Sequence, residues 1–141
     1  MQKEIKDILE DNFLAGELFL NDYYKHCTGY LISSKGECFI VDKTTIIDFE
    51  IASVLFIRNY DNEICIIATN KKFKRQGFAN NLLICVNELY QKTSLCVRTT
   101  NKEAIALYNK IGYQTVEIKP DFYKYSGNNC DAIHMIKHNS F

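Results

Sequence analysis

Residues 64–83 read ICIIATNKKFKRQGFANNLL, and the order of properties along them decides the fold. The apolar run to Thr69 has the pattern of a strand. Lys71 to Gln76 is a polar, basic loop. Gly77 opens a pattern with Phe78, Leu82, Val86 and Leu89 on one helical stripe. A strand thus runs through a basic loop and a glycine into a helix. A helix N-terminus leaves backbone N–H groups unpaired and carries partial positive charge. Gly77 and the small Ala79 let an anion approach that backbone, and Lys74 and Arg75 add full charges. The segment therefore reads as a pyrophosphate cradle. Taken alone, it reads equally well as an ordinary basic turn before a helix.

Working outward, the N-terminal side begins with Ile5, Ile8 and Leu9 on one face of a short helix over residues 3–12. A second helical stretch is expected from Leu14 to about Tyr24. CTGYLIS and ECFIVD flank Ser34-Lys35-Gly36 as a hairpin. FEIASVLFIRN is a long strand, turned by Asn59-Tyr60-Asp61-Asn62 into EICIIAT. On the C-terminal side, Ser94 to Thr99 is a strand. Asn101 is a good N-cap for a helix through Ala104, Ile105, Leu107, Tyr108 and Ile111, which Gly112 ends. Tyr113–Lys119 and Asp131–Lys137 are two further strands around a polar loop, Pro120 to Cys130. The order predicts a mixed α/β fold with one central sheet.

The chain has 141 residues, enough for one domain, 1–141, and 47% of them are hydrophobic, enough for a real core. Seventeen basic residues balance seventeen acidic ones, which argues against nucleic acid as a partner. No apolar run approaches the ~20 residues of a membrane-spanning helix, so no membrane association is expected. The charged N-terminus, MQKEIKDILEDNF, does not read as a secretory signal. The six cysteines, at 27, 38, 65, 85, 96 and 130, show no CxxC or zinc-site spacing. No metal is expected, and a reducing cytoplasm is.

Three motifs carry a resemblance. Lys74-Arg75-Gln76-Gly77-Phe78-Ala79 resembles the Q/R-x-x-G-x-G/A acetyl-CoA signature of the GNAT acetyltransferase superfamily, with lysine in place of the usual first residue. VRTTNKEAIALYNKIGY, 97–113, is similar to that superfamily's second signature. FYKYSGNNCDAIHM, 122–135, is similar to the ending of the RimI-type N-terminal protein acetyltransferases. The resemblance implies the GNAT fold: a mixed, mostly antiparallel central sheet flanked by helices. It implies that the sheet splays between strands 63–69 and 94–99 to take acetyl-CoA. Backbone groups of Ile67, Ala68 and Thr69 would hold the pantetheine arm. Lys74, Arg75, Gln76, Gly77, Phe78, Ala79 and Asn80 would hold the pyrophosphate, with Asn101 and Tyr108 approaching the cofactor from the other side.

The chemistry needs a neutral amine, a polarised thioester carbonyl and a proton for the departing thiolate. A protein α-amine, with pKa ~7.7–8.0, is far easier to deprotonate than a lysine side chain near ~10.4. By resemblance, Tyr108 would protonate the sulfur; as a bare sequence position it is equally a core tyrosine. RimI-type relatives hold a glutamate where this chain has Cys96. Glu63 stands at the strand position of the catalytic glutamate in the histone-acetyltransferase branch. The base is thus Glu63, or none, with Cys96 a nucleophile or a buried hydrophobe. His134 and His138 read as structural or surface residues. Phe122 and Tyr123 would line the acceptor slot by resemblance, with Phe122 and Cys130 departing from the relatives' pattern. Three functions follow from the resemblance. One is acetylation of a protein N-terminus, another acetylation of a small amine, and the third non-catalytic acetyl-CoA binding.

Overall fold

The computed structural model describes residues 2–12, 20–122 and 131–140. The chain forms two compact units, Met1–Val86 and Asn87–Phe141.

The first unit opens with helix α1 (Gln2–Asn12) and helix α2 (Leu20–His26). The N-terminal part of the second expected helix, 14–19, lies outside the described residues. Strands β1 (Cys27–Ser33), β2 (Cys38–Val41), β3 (Ile51–Arg58) and β4 (Glu63–Thr69) follow. They form an antiparallel sheet in the order β2-β1-β3-β4. The Ser34–Gly36 hairpin forms as expected: Gly36 adopts φ 87° and its N–H donates to Ser33 O at 2.9 Å. β3 is buried from Ile51 to Ile57, so both its faces are covered. This accounts for its nearly unbroken apolar sequence.

Ile5, Ile8 and Leu9 of α1 are buried in one cluster with Leu31, Val54, Phe56, Ile66 and Ala68. Tyr23 of α2 stacks on Phe56 at 5.2 Å, and Tyr24 meets the same ring edge-on at 5.5 Å. Phe56 is fully buried, and truncating such a ring to alanine typically costs about 3–5 kcal/mol. Gly29 makes room for it. A Cβ there would stand 2.8 Å from Phe56 Cε1 and 2.9 Å from Val41 Cγ1.

After β4 come a single 3₁₀ turn, Lys71–Phe73, and helix α3 (Phe78–Asn87). The expected stripe holds at Leu82 and Val86, both buried, but not at Leu89, which is 61% exposed. The helix ends at Asn87 because that side chain joins a buried hydrogen-bond ring with Thr93 and Tyr113. Leu89 therefore falls beyond the helix.

The second unit contains β5 (Lys92–Arg98), α4 (Lys102–Ile111), β6 (Gln114–Lys119) and β7 (Ala132–His138). Its strands pair antiparallel in the order β5-β7-β6. Asn101 caps α4, its Oδ1 accepting from Ala104 N–H at 3.2 Å. Gly112 ends the helix at φ 117°, where its N–H and that of Tyr113 both reach Tyr108 O. The buried ring closes on itself. Thr93 Oγ1–H donates to Asn87 Oδ1 (2.7 Å), Asn87 Nδ2–H to Tyr113 Oη (3.2 Å), and Tyr113 Oη–H to Thr93 Oγ1 (2.8 Å). Burial, offset in part by these bonds, raises the Tyr113 pKa above its ordinary value. The mixed α/β class holds, and every strand pairing described within each unit is antiparallel.

Candidate active site

In the first unit the candidate groups lie along β4, the loop behind it and the first turn of α3. Alternation along β4 buries Ile64, Ile66 and Ala68 and leaves Glu63, Cys65, Ile67 and Thr69 less covered. Of the three pantetheine candidates, Ile67 and Thr69 are half-buried and Ala68 is 3% exposed. Thr69 is held by a 2.8 Å bond between its Oγ1 and Ser53 Oγ.

Asn70 shapes the loop, and the sequence reading passed over it. Its N–H donates to Ala52 O at 2.8 Å and its Nδ2 to Ile51 O at 3.0 Å, fixing it to β3. Its Oδ1 accepts from Lys72 N–H at 3.1 Å and its carbonyl from Phe73 N–H at 2.8 Å. The 3₁₀ turn is thus capped from the sheet. An asparagine between a strand and a polar stretch is the available signal. Phe73 and Phe78 meet edge-on at 5.5 Å across the loop.

Lys74, Arg75, Gln76 and Gly77 are all exposed. Arg75 adopts φ 62° and Gly77 φ 87°. A Cβ built on Gly77 meets nothing within 4 Å, so the backbone there is open to a ligand. Phe78, Ala79 and Asn80, the first turn of α3, are half-buried. An open glycine, a helix N-terminus and adjacent cations together suit a polyanion. Lys72 is engaged elsewhere, 3.1 Å from Glu50 Oε2.

Glu63 opens the other end of β4, about 20 Å along the strand from Thr69 at ~3.3 Å per residue. Its carboxylate lies 3.3 Å from Arg58 Nη2. Arg58 also forks onto Asp61, with bonds of 3.1 and 2.7 Å. That hydrogen-bonded fork holds the Asp61 carboxyl below its ordinary range. Beside Glu63, Cys65 Sγ is 4.0 Å from Cys27 Sγ. Burial, then its neighbour Cys27, pushes the Cys65 thiol up to about 12. The residue as a whole is nonetheless exposed. Such a thiol stays protonated and unreactive.

In the second unit Tyr108 is 8% exposed and meets Tyr113 edge-on at 5.9 Å. Asn101 spends its side-chain oxygen on the α4 cap. Phe122 is exposed, with Lys119 Nζ 5.3 Å above its ring. Tyr123 and Cys130 lie outside the described residues.

Cys96, His134 and Glu117 occupy directly opposite positions on β5, β7 and β6. His138 is exposed, but His134 lies half-buried, with Nδ1 3.6 Å from Glu117 Oε1. The register that aligns this row crosses the connection from β6 to β7 and has no local signature in the sequence. Among the described residues, no group of three His, Cys, Asp or Glu side chains is placed to hold a metal ion.

The family model described as FR47-like protein matches residues 50–120, half of the chain. No curated protein matches. Among solved structures, the chain is similar to the ribosomal-protein-S18-alanine N-acetyltransferase of Escherichia coli. Identity is 19% and the TM-score 0.72, over 99% of this chain and 88% of that one. It is also similar to a GNAT family acetyltransferase from Elizabethkingia anophelis with acetyl-CoA bound. There identity is 21% and the TM-score 0.70, over 95% and 90%. A Bacillus subtilis acetyltransferase in complex with CoA shares 16% identity at a TM-score of 0.74, over 99% and 94%. These likenesses establish the fold expected from the three motifs.

Proposed function

We propose, from the premise that this chain belongs to the FR47-like family and has the GNAT acetyltransferase fold, that it is an acetyl-CoA-dependent N-acetyltransferase of protein N-termini. One observation carries the cofactor reading: the open Gly77 backbone at the N-terminus of α3, behind a loop capped from β3 by Asn70. The residues present fit a nucleotide pyrophosphate. Backbone N–H groups of 77–80 with Lys74 and Arg75 would hold it, and the exposed face of β4 at Ile67 and Thr69 would take the pantetheine amides. Acetyl-CoA, when bound, supplies the activated acyl thioester.

The chain's own groups have three tasks. Backbone N–H groups orient the donor. Tyr108, packed edge-on against Tyr113, supplies a proton to sulfur. Glu63, held by Arg58, accepts the amine proton. The α-amine is the favoured acceptor because a useful fraction is neutral near pH 7. Exposed Phe122 supports an acceptor slot on the second unit, as in the resemblance to RimI-type enzymes. The protein would work in the cytoplasm and without a metal.

The test is release of CoA thiol against a panel of peptides differing in their first residue, alongside polyamines and free amino acids. Turnover with peptides and not with free amines supports the reading. Turnover only with free amines replaces the acceptor class. Binding of acetyl-CoA with no turnover on any amine would make the protein a non-catalytic binder.

A further inference from the structure

The alternation of β2 divides its side chains between two faces. Val41 joins the buried cluster under α1, and Phe39 stacks on Phe49 of that cluster at 4.8 Å. Cys38 and Ile40 therefore take the other face, and there the Cys38 sulfur meets α3. It lies 2.8 Å from Cys85 Sγ. Nonbonded carbon atoms rest ~3.5–4.0 Å apart, and sulfur is larger. A disulfide needs ~2.05 Å, so the bond asks for a movement of under about 1 Å. β2 ends the strand order. Cys38 is exposed and Cys85 half-buried. An accessible thiol beside a second, resolving one is the arrangement of a reversible oxidation site. Cys27 and Cys65 are the contrast. Their sulfurs lie 4.0 Å apart, and burial raises both thiols above the ordinary value, so neither offers a ready thiolate.

Cys85 stands seven residues after Phe78, two turns or about 10 Å along α3. Residues so spaced share one side of a helix. Phe78 begins α3 at the cradle and meets Phe73 of the loop at 5.5 Å. A tie at Cys85 thus acts on the helix side that ends at the cradle.

We propose that Cys38 and Cys85 are a reversible thiol-oxidation site, whose disulfide fastens α3 to β2 and holds the cradle in its binding arrangement. The oxidant is a hydroperoxide. The Cys38 sulfur attacks one peroxide oxygen, the O–O bond breaks, and the leaving oxygen takes up the thiol proton. For hydrogen peroxide the products are a sulfenic acid on Cys38 and water. The Cys85 sulfur then attacks the Cys38 sulfur. The S–S bond forms as the S–O bond breaks, and hydroxide leaves with the Cys85 proton as a second water. Two thiols are oxidised and one peroxide is reduced. A bond at an exposed strand edge is open to thiol exchange, so a dithiol reverses it. Only the effect on the cradle rests on the acetyl-CoA reading. The oxidation site rests on the two sulfurs.

The test treats the whole reduced protein with hydrogen peroxide. Cleavage after lysine and arginine leaves Cys38 as the sole cysteine of residues 36–43 and Cys85 as that of residues 76–92. These two peptides should become joined within one molecule, with loss of two hydrogens, and dithiothreitol should separate them. Peptides that stay unlinked, or that link only between molecules, overturn the proposal. Dimedone, which traps sulfenic acids, should label 36–43 in Cys85→Ser and not 76–92 in Cys38→Ser. Any other pattern overturns the roles given to the two thiols. Calorimetry then compares acetyl-CoA binding to the linked and reduced wild type. The linked form should bind about threefold tighter, as expected for a site organised in advance, and peroxide should not change the affinity of Cys38→Ser. Equal or weaker binding by the linked form overturns the hold on the cradle. Binding by neither form would count against the acetyl-CoA reading itself, while the joined peptides judge the oxidation site separately.

Discussion

Cys38 Sγ lies 2.8 Å from Cys85 Sγ, joining the edge strand β2 to helix α3 across 47 residues of sequence. Both are reduced thiols. A diazene oxidant such as diamide, which takes up two hydrogens, should link them within one molecule. The loop closed is long, so the bond should raise unfolding stability by roughly 3–4 kcal/mol if it forms without strain. Intact mass and denaturant titration read both effects. Cys38→Ser should abolish them. Oxidation that yields only intermolecular dimers would contradict the expectation.

Gly77 has φ 87° and open space where a side chain would be. Gly77→Asn tolerates that φ and should bind acetyl-CoA only mildly less well. Gly77→Asp adds a negative charge at the cradle and should weaken binding by about tenfold or more, roughly 1.4 kcal/mol. Calorimetry on both folded variants compares the two. Equal affinities for wild type and Gly77→Asp would remove the loop from the cofactor site.

Tyr108→Phe keeps the packing against Tyr113 and removes only the hydroxyl. If that hydroxyl protonates the leaving sulfur, kcat should fall roughly 10²-fold or more with little change in acetyl-CoA affinity. An unaltered kcat makes Tyr108 a packing residue.

Tyr113→Phe breaks the closed ring with Asn87 and Thr93. It leaves a buried amide donor without its acceptor and should cost about 1–3 kcal/mol. Urea titration measures it. A loss below the precision of that titration would mean water replaces the hydroxyl.

Asp61→Asn probes the Arg58 fork. The Asp61 pKa is lowered in the folded state by that hydrogen-bonded pair. Its contribution is therefore complete above the unfolded value of about 3.9 and lost as pH falls through the folded one. Both partners are partly exposed, so the difference from wild type at pH 7 should be only about 0.5–1 kcal/mol. It should close once the pH has fallen below the folded value. A difference that persists there would have a source other than charge.

What the sequence showed locally, the structure holds. The Asn101 cap, the Gly112 stop and the Ser34–Gly36 hairpin depend on residues within a turn of one another. Burial of Ile5, Ile8 and Leu9 follows from helical spacing alone. Leu89 was misassigned because the end of α3 is decided by a tertiary contact, the turn of Asn87 toward Thr93 and Tyr113. The alignment of Cys96, His134 and Glu117 was illegible for a related reason. Strand register across a long connection is set by the packed sheet, and each residue alone reads as an ordinary surface or core position. Asn70 went unread because its four bonds run to partners on both sides of it, two of them on β3.

Those four bonds make the loop a reporter on the sheet. Asn70 ties the phosphate-facing turn to the backbone of Ile51 and Ala52, inside the buried strand. The loop can therefore loosen only as that end of β3 loosens, so local opening and ligand release share one equilibrium. A ligand held there should protect the amides of β3 from hydrogen exchange as well as those of the loop. Conversely, substitutions buried at Ile51 or Ala52, far from any ligand atom in the sequence, should register first as lost affinity.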